Sequence, residues 1–215
     1  MLNENAKKLF VIGASRGIGL QLLVQALESG HTVTAFARSA ANIPIQHERL
    51  RRIAGDVTCD SAALTSAMQG QDVIISTLGR GMSLKSEHLI ERSVPNIVGA
   101  MRANGLRRLI FTSAIGVGGT IDGLPLFARL MARFPLRNLY ADKVAGEAQI
   151  QRSDLDWTLV QPAQLTDGPL TRKYRFGERL ELQGRPKISR ADTAHFILTL
   201  VEDSTFAGKV LLVSQ

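Results

Sequence analysis

Apolar residues occur in two patterns along this chain: short continuous runs of strand length and residues at helical spacing. Residues 9–12, 72–78 and 155–160 form short, mostly apolar runs, which predict strands, and the first is expected to be buried on both faces. After the first run, Leu22, Leu23, Val24 and Leu27 recur at helical spacing. Strands that alternate with helices in this way are typical of a parallel sheet covered by helices.

The same pattern extends over the rest of the chain. Further strands are expected at residues 31–36, 50–54, 107–112 and 209–214, and helices at residues 58–69, 86–104 and from 189 onward. Pro95 predicts a kink in the third helix or a later start. We expect one α/β domain over residues 1–215, a doubly wound, Rossmann-like fold with a mostly parallel sheet and helices on both faces.

A glycine-rich turn joins the first strand to the first helix, within KKLFVIGASRGIG at residues 7–19. Gly13 permits a tight turn, Gly17 leaves room for a diphosphate, and Gly19 allows the helix to pack close to the sheet. The helix N-terminus adds free N–H groups and a positive dipole end. We therefore predict a dinucleotide site, with a ligand-free structural turn as the alternative. Its expected residues are Gly13, Ser15, Arg16, Gly17, Ile18 and Gly19.

The end of the second strand bears on the choice of cofactor. No acidic residue lies between His31 and Gln46, where NAD-preferring folds hold the ribose 2′-OH with an acid. Arg38, together with Arg16 and Ser39, therefore favours NADP(H) over NAD(H). A solvated surface arginine is the alternative.

The strand at residues 72–78 also ends in candidate ligands. Ligands of open parallel sheets bind beyond the carboxyl ends of the strands. We expect Ser76, Thr77, Leu78 and Gly79 to line the diphosphate and the nicotinamide ribose, with Arg80 as a further phosphate candidate or a solvated side chain.

The spacing G-x-x-x-G-x-G resembles that of the short-chain dehydrogenase/reductase superfamily. The short chain and its later motifs resemble the atypical branch that includes NmrA-like and biliverdin reductase B/flavin reductase-like proteins. The resemblance covers nearly the whole chain. It implies that Asp56 and Val57 flank the adenine and that Ser113 hydrogen-bonds a substrate carbonyl, although a serine there is also a common loop cap.

A later segment, LDWTLVQPAQLTDGP, resembles the "YTIVRPxxLxDGP" of the atypical branch. The resemblance implies that Pro162, Ala163 and Leu165 contact the nicotinamide or line the pocket. Gln161 replaces the usual arginine.

The superfamily motif Tyr-x-x-x-Lys is altered in this chain. In the superfamily the tyrosine donates a proton to the carbonyl and the lysine binds the nicotinamide ribose. Lys143 matches that lysine, and with Glu147 it resembles the K-x-x-x-E of the atypical and extended branches, although an exposed ion pair is also ordinary. The tyrosine position holds Leu139, and Tyr140 points about 100° away from it round the helix. The implied catalytic candidates are Ser113, Lys143 and Tyr140.

Three other segments have open interpretations. Residues 116–136 are a pocket wall or a dimer contact, and residues 171–184, with Tyr174 and Phe176, are a hairpin lid or a connecting hairpin. Ser189 is expected to be the N-cap of the last long helix, with Asp192 at its third position.

Composition limits the remaining possibilities. The net charge of +7 and a pI near 10.1 are compatible with nucleic-acid binding, but the basic residues are scattered, which favours a solvated surface. Cys59 is the single cysteine, and the four histidines share no ligand spacing, so we expect neither a disulfide nor a metal. The start does not resemble a signal peptide and no run approaches roughly 18 consecutive apolar residues, so the protein is expected to be cytoplasmic and not bound to a membrane. We expect a monomer or a homodimer.

Together these features predict an NADP(H)-dependent oxidoreductase that acts on a small molecule. The missing tyrosine favours a planar acceptor such as a flavin, quinone or tetrapyrrole, because the cofactor itself supplies the hydride. An NmrA-like protein that senses NADP(H) without turnover is the alternative.

Overall fold

The computed structural model describes residues 6–79, 88–123, 137–182 and 184–215, and within them an eight-stranded sheet forms the centre. Its strands are β1 (Lys8–Ile12), β2 (Thr32–Ala37), β3 (Leu50–Ala54), β4 (Val73–Ser76), β5 (Arg108–Thr112), β6 (Asp156–Pro162), β8 (Arg175–Gly177) and β10 (Lys209–Ser214). The strand order is β3-β2-β1-β4-β5-β6-β10-β8, with all neighbours parallel except the last pair. The expected α/β fold is confirmed.

Helices cover both faces of the sheet in the described residues. They are α1 (Gly17–Glu28), α2 (Ser61–Ala67), α3 (Leu89–Ala103), α4 (Arg137–Gln151) and α5 (Arg190–Glu202). One apolar cluster joins α1 and α5 to one face, and a second joins α2, α3 and α4 to the other. The central strands bury residues on both sides, which is why they read as continuous apolar runs in the sequence.

The parallel register brings several strand ends to one edge. Ile12, the last residue of β1, pairs with Phe36 in β2 and with Ser76 in β4. Farther along the sheet, Thr112 of β5 pairs with Val160 of β6. The turns that leave β1, β2, β4, β5 and β6 therefore meet beyond this edge, where open parallel sheets bind ligands.

The expected hairpin at residues 171–184 is wrong. β8 pairs antiparallel with β10 at the edge of the sheet, so its partner is a strand at the end of the chain. A separate parallel pair joins β7 (Gln164–Thr166) to β9 (Lys187–Ser189). Neither pairing follows from local sequence, because both join segments that are distant along the chain.

Helix boundaries differ modestly from the expectations. α3 begins at Leu89, preceded by His88, and continues through Pro95 to Ala103. Ser189 caps α5, as predicted, because its hydroxyl accepts a hydrogen bond from the Asp192 N–H at 2.9 Å. Among the described helices, none is long and apolar enough to cross a membrane.

Candidate cofactor-binding site

The turn after β1 is held against the end of β4. Gly13 has φ +84°, a backbone conformation that favours glycine. The Thr77 hydroxyl donates to the Ile12 carbonyl at 3.0 Å, and the Thr77 N–H donates to the same carbonyl at 2.9 Å. A Cβ on Gly19 would lie 2.4 Å from the Gly13 oxygen and 2.6 Å from Thr77 Oγ1. Gly13 and Gly19 therefore have the backbone roles that the sequence predicted.

Gly17 differs from Gly19 in what surrounds it. It has φ +61° and is the first residue of α1, and a Cβ there would be 3.8 Å from Arg190 Cδ and Nε. Among the residues described, no side chain caps the start of α1, and the Arg16 side chain is exposed. Without a Cβ at Gly17, the N-terminus of α1 is bordered by the Arg190 side chain, and a helix N-terminus is a common position for a phosphate ligand. In the same turn Ser15 is half-buried and Ile18 is buried.

The ends of β2 and β3 bring basic side chains near Asp56. Arg38 and Ser39 are exposed directly after β2. Hydrogen bonds from Thr58 hold the pKa of the Asp56 carboxyl below its usual range, and the charges of Arg38 and Arg92 lower it further. Arg92, on α3, was not among the predicted site residues. Only tertiary packing brings it to this strand end.

Asp56 and Val57, the residues expected to flank the adenine, form hydrogen bonds with nearby protein groups. The Asp56 carboxylate accepts hydrogen bonds from the Thr58 N–H at 2.9 Å and the Thr58 hydroxyl at 2.7 Å, so it closes a local turn. Val57 is buried, and its carbonyl accepts a hydrogen bond from the Asn96 amide at 2.9 Å. Adenine contact by Asp56 and Val57 stays a prediction.

The residues after β4 differ in exposure. Ser76 is fully buried, and its hydroxyl has no hydrogen-bond partner within the described part of the chain. Leu78 is half-buried and Gly79 is exposed. Arg80 lies outside the described residues. Thr77 joins this strand end to the glycine turn. That these residues line the diphosphate and the nicotinamide ribose stays a prediction.

A buried polar cluster lies beneath α4, at the ends of β5 and β6. Lys143 and Glu147 are 8% and 4% exposed, so the alternative of an exposed ion pair is wrong. The Gln161 amide donates hydrogen bonds to both oxygens of Glu147, at 3.0 and 3.2 Å. Burial lowers the pKa of Lys143 and raises that of Glu147, and their mutual attraction opposes both shifts. The sequence indicated Lys143 but gave no sign that Gln161 fixes Glu147.

Ser113 adds a hydroxyl to this polar cluster. It is buried, and its Oγ has no partner of ordinary hydrogen-bond geometry among the residues described. It nevertheless lies close enough to Glu147 to lower the pKa of that carboxyl. Among the described residues the hydroxyl therefore does not cap the loop after β5 but lies beside the Glu147 carboxyl.

The Tyr140 side chain contacts the loop after β5. Its hydroxyl donates to the Ile115 carbonyl at 3.0 Å, and burial raises the pKa of the phenol. On the same helix, the Asp142 carboxylate accepts the N–H groups of Ile90 and Glu91 at 3.1 and 2.9 Å and so caps the start of α3. In this structure the tyrosine hydroxyl therefore fixes the loop after β5.

The residues expected to contact the nicotinamide lie from the end of β6 into β7. Pro162 and Ala163 are buried and Leu165 is half-buried. The Pro162 carbonyl accepts the Ile115 N–H at 3.1 Å, so this loop is joined to the one after β5. Whether these residues contact nicotinamide stays a prediction. Of the segment expected to form a pocket wall or dimer contact, residues 124–136 lie outside the described chain.

One group of potential metal ligands occurs among the described residues: His88, Glu91 and Asp142. The His88 ring and the Glu91 carboxylate are 2.7 Å apart, and Asp142 caps α3. Helix capping and an i,i+3 pair account for this arrangement.

Comparison with known proteins agrees with the strand-end geometry. A family model described as NAD(P)H-binding matches residues 13–204. The chain is 24% identical over 163 residues to the Photosystem II assembly factor Ycf39 of Synechocystis sp., covering 75% of this chain and 46% of that protein. The chain thus spans about half the length of this relative.

Two solved structures illustrate the similarity of fold. ChuY, an anaerobillin reductase from Escherichia coli O157:H7, superimposes with a TM-score of 0.79 at 23% identity, over 96% of each chain. A short-chain dehydrogenase/reductase from Veillonella parvula DSM 2008, in complex with NADP, gives a TM-score of 0.78 at 21% identity, over 97% of this chain and 94% of that one.

Proposed function

This chain belongs to the NAD(P)H-binding family, and from that premise we propose that it is an NADPH-dependent oxidoreductase for a planar acceptor. The acceptor is a small molecule of the flavin, quinone or tetrapyrrole type. The main support is that the Tyr140 hydroxyl donates its hydrogen bond to a backbone carbonyl. Lys143 and Glu147, which lie near the strand ends, are both buried.

The residues at the strand ends fit a dinucleotide. Gly17 has no Cβ at the first turn of α1, where N–H groups and the helix dipole favour a diphosphate, and the Arg190 side chain lies beside it. The buried Ser76 hydroxyl lacks a partner among the described residues, so it is free to hydrogen-bond a bound group. Arg38 is the residue that we expect to contact a 2′-phosphate.

The acceptor class follows from the proton donors that are present. When bound, the cofactor supplies the hydride, and the reduced acceptor takes one proton. A simple ketone develops charge on one oxygen and gains much from a positioned acid, which a general acid supplies at about 10²–10⁴-fold in rate. A conjugated acceptor spreads that charge, so Ser113 and Lys143, beside a Glu147 that Gln161 holds in place, suffice to orient it.

Two proteins of similar fold support the proposal at the level of reaction class. One solved structure of the same fold is described as an anaerobillin reductase, and another holds NADP. We bring both features to this chain as part of the proposal.

The second candidate function is sensing of NADP(H) without turnover. It is favoured by the leucine at the family's tyrosine position, Leu139, and by the similarity to an assembly factor. In this case cofactor binding would occur normally, but the buried polar cluster would serve only to fix the loops.

The deciding experiment follows NADPH absorbance with FMN, a quinone and a simple ketone, beside direct titration of NADPH binding. The oxidoreductase proposal expects turnover with FMN or the quinone and far less with the ketone. Measurable NADPH binding with no turnover would favour the sensor. Absence of NADPH and NADH binding would overturn both.

A further inference from the structure

A basic side chain from the far end of the chain lies over the glycine turn. Arg190 is the first residue of α5, and its Cδ and Nε lie 3.8 Å from where a Cβ of Gly17 would be. Its neighbours Ser189 and Asp192 form a helix cap that is recognisable in the sequence, whereas the local sequence gives Arg190 no role. Its position beside the proposed diphosphate site is set by the packing of α5 against α1.

The position of Arg190 is supported by the surrounding structure. The Gln25 side chain on α1 donates to the Ala191 carbonyl at 2.9 Å, and both residues are buried. Ser189 caps the same turn of α5. The backbone that carries Arg190 is therefore fixed to the helix that begins at Gly17.

The guanidinium has one exposed acidic partner. Arg190 Nη1 donates to Asp167 Oδ1 at 2.7 Å, and their side chains are 30% and 90% exposed, respectively. No described residue accepts a hydrogen bond from the remaining Arg190 nitrogens. An ion pair with so exposed an acid is weak and easily exchanged for a stronger anion.

We propose that Arg190 binds the cofactor diphosphate and that Asp167 competes for its guanidinium when the cofactor is absent. The inference rests on the proposed function, since it assumes a dinucleotide at the glycine turn. Arginine suits this role because its planar donors match phosphate oxygens in pairs. Asp167 follows β7, so exchange of the ion pair couples diphosphate binding to the loop near the expected nicotinamide contacts.

The location distinguishes diphosphate from 2′-phosphate recognition. Arg190 lies at the turn after β1, whereas Arg38 follows β2. Arg190 should therefore contribute equally to NADPH and NADH, since both carry the diphosphate.

The test measures dissociation constants for NADPH and NADH by calorimetry in four proteins: wild type, Arg190→Gln, Asp167→Asn and the double variant. Arg190→Gln should weaken both nucleotides by about 10- to 100-fold, because charge-assisted hydrogen bonds to phosphate are lost. Asp167→Asn should strengthen both by about two- to fivefold. In the Arg190→Gln background, Asp167→Asn should have no effect.

Two controls separate binding from folding. Arg152→Gln removes the same charge from an exposed position at the end of α4 and should leave both constants unchanged. Arg190→Lys keeps the charge without the paired donors and should give an intermediate loss. Urea denaturation identifies any variant that does not fold.

The inference is overturned alone if wild type binds NADPH but Arg190→Gln binds both nucleotides within twofold of wild type. It is equally overturned if Asp167→Asn weakens binding, because the ion pair would then be structural. Wild type that binds neither nucleotide would overturn the proposed function, and the inference with it.

Discussion

The Gln161 amide nitrogen lies 3.0 and 3.2 Å from the two carboxylate oxygens of Glu147 and donates to both. The other end of the same amide accepts the Thr120 hydroxyl at 2.7 Å. Gln161 is thus fixed at both ends, although it replaces an arginine of the family pattern. A neutral donor holds the carboxylate without adding a second buried charge.

This relationship predicts the cost of removing the amide. Gln161→Leu should destabilise the protein by about 1–3 kcal/mol at pH 7, because a buried carboxylate loses its donor. In a Glu147→Gln background the same change should cost less. Urea denaturation of the four proteins measures the coupling, and an equal loss in both backgrounds would contradict it.

A glycine pair tests the contact between α1 and the sheet. Gly19→Ala should destabilise by about 2 kcal/mol or more, because the new Cβ would meet the Gly13 oxygen and Thr77 Oγ1. The matched control is Gly99→Ala on α3, where the site is exposed and no atom lies within 4 Å. It should be neutral or stabilising by up to about 1 kcal/mol. Similar losses at both positions would refute the close approach at Gly19.

Cofactor preference depends on Arg38. Arg38→Asp should raise the dissociation constant of NADPH by about tenfold or more and change that of NADH much less, because only NADPH carries the 2′-phosphate. Arg51→Asp makes the same charge change at an exposed position near the start of β3 and serves as the control. Equal losses for both nucleotides in Arg38→Asp would rule out the 2′-phosphate contact.

The Tyr140 hydroxyl is predicted to matter for stability more than for chemistry. Tyr140→Phe should cost about 1 kcal/mol in unfolding free energy, because the Ile115 carbonyl loses its donor. Acceptor reduction should keep most of its rate. A fall near a thousandfold in a well-folded variant would make Tyr140 a proton donor after all.

His31 predicts a pH dependence of stability. Its pKa is lowered from 6.5, chiefly by burial, and its Nδ1 accepts the Lys7 N–H at 3.1 Å. The unfolded state therefore binds more protons, so the stabilisation is complete above pH 6.5 and is lost as pH falls below it.

The loss can be measured against His31→Asn, which keeps an acceptor oxygen but does not titrate. Between pH 7.5 and 5.5, wild type should lose more stability than the variant, by at most about 1.4 kcal/mol per pH unit. Parallel losses in the two proteins would assign the pH dependence to other groups.

The strands that enter the sheet centre could be predicted from the sequence because burial on both faces leaves a continuous apolar run. Gly13 and Gly19 could be assigned because their roles depend on a turn of a few residues. The Ser189 cap is local in the same sense. The edge strand β8 could not be predicted, since its partner β10 follows the last helix and is distant from β8 along the chain.

At the site, the sequence by itself determined which residues follow each strand, and hence that Gly17, Arg38 and Ser113 lie at one edge of the sheet. Only the tertiary structure decided that Lys143 and Glu147 are buried and that Arg190 reaches the glycine turn. Helical spacing fixes which residues share a face, but it does not say what that face packs against. Burial, and the contact of Arg190 with Gly17, depend on elements that are distant along the chain and are brought together only when the helices pack on the sheet.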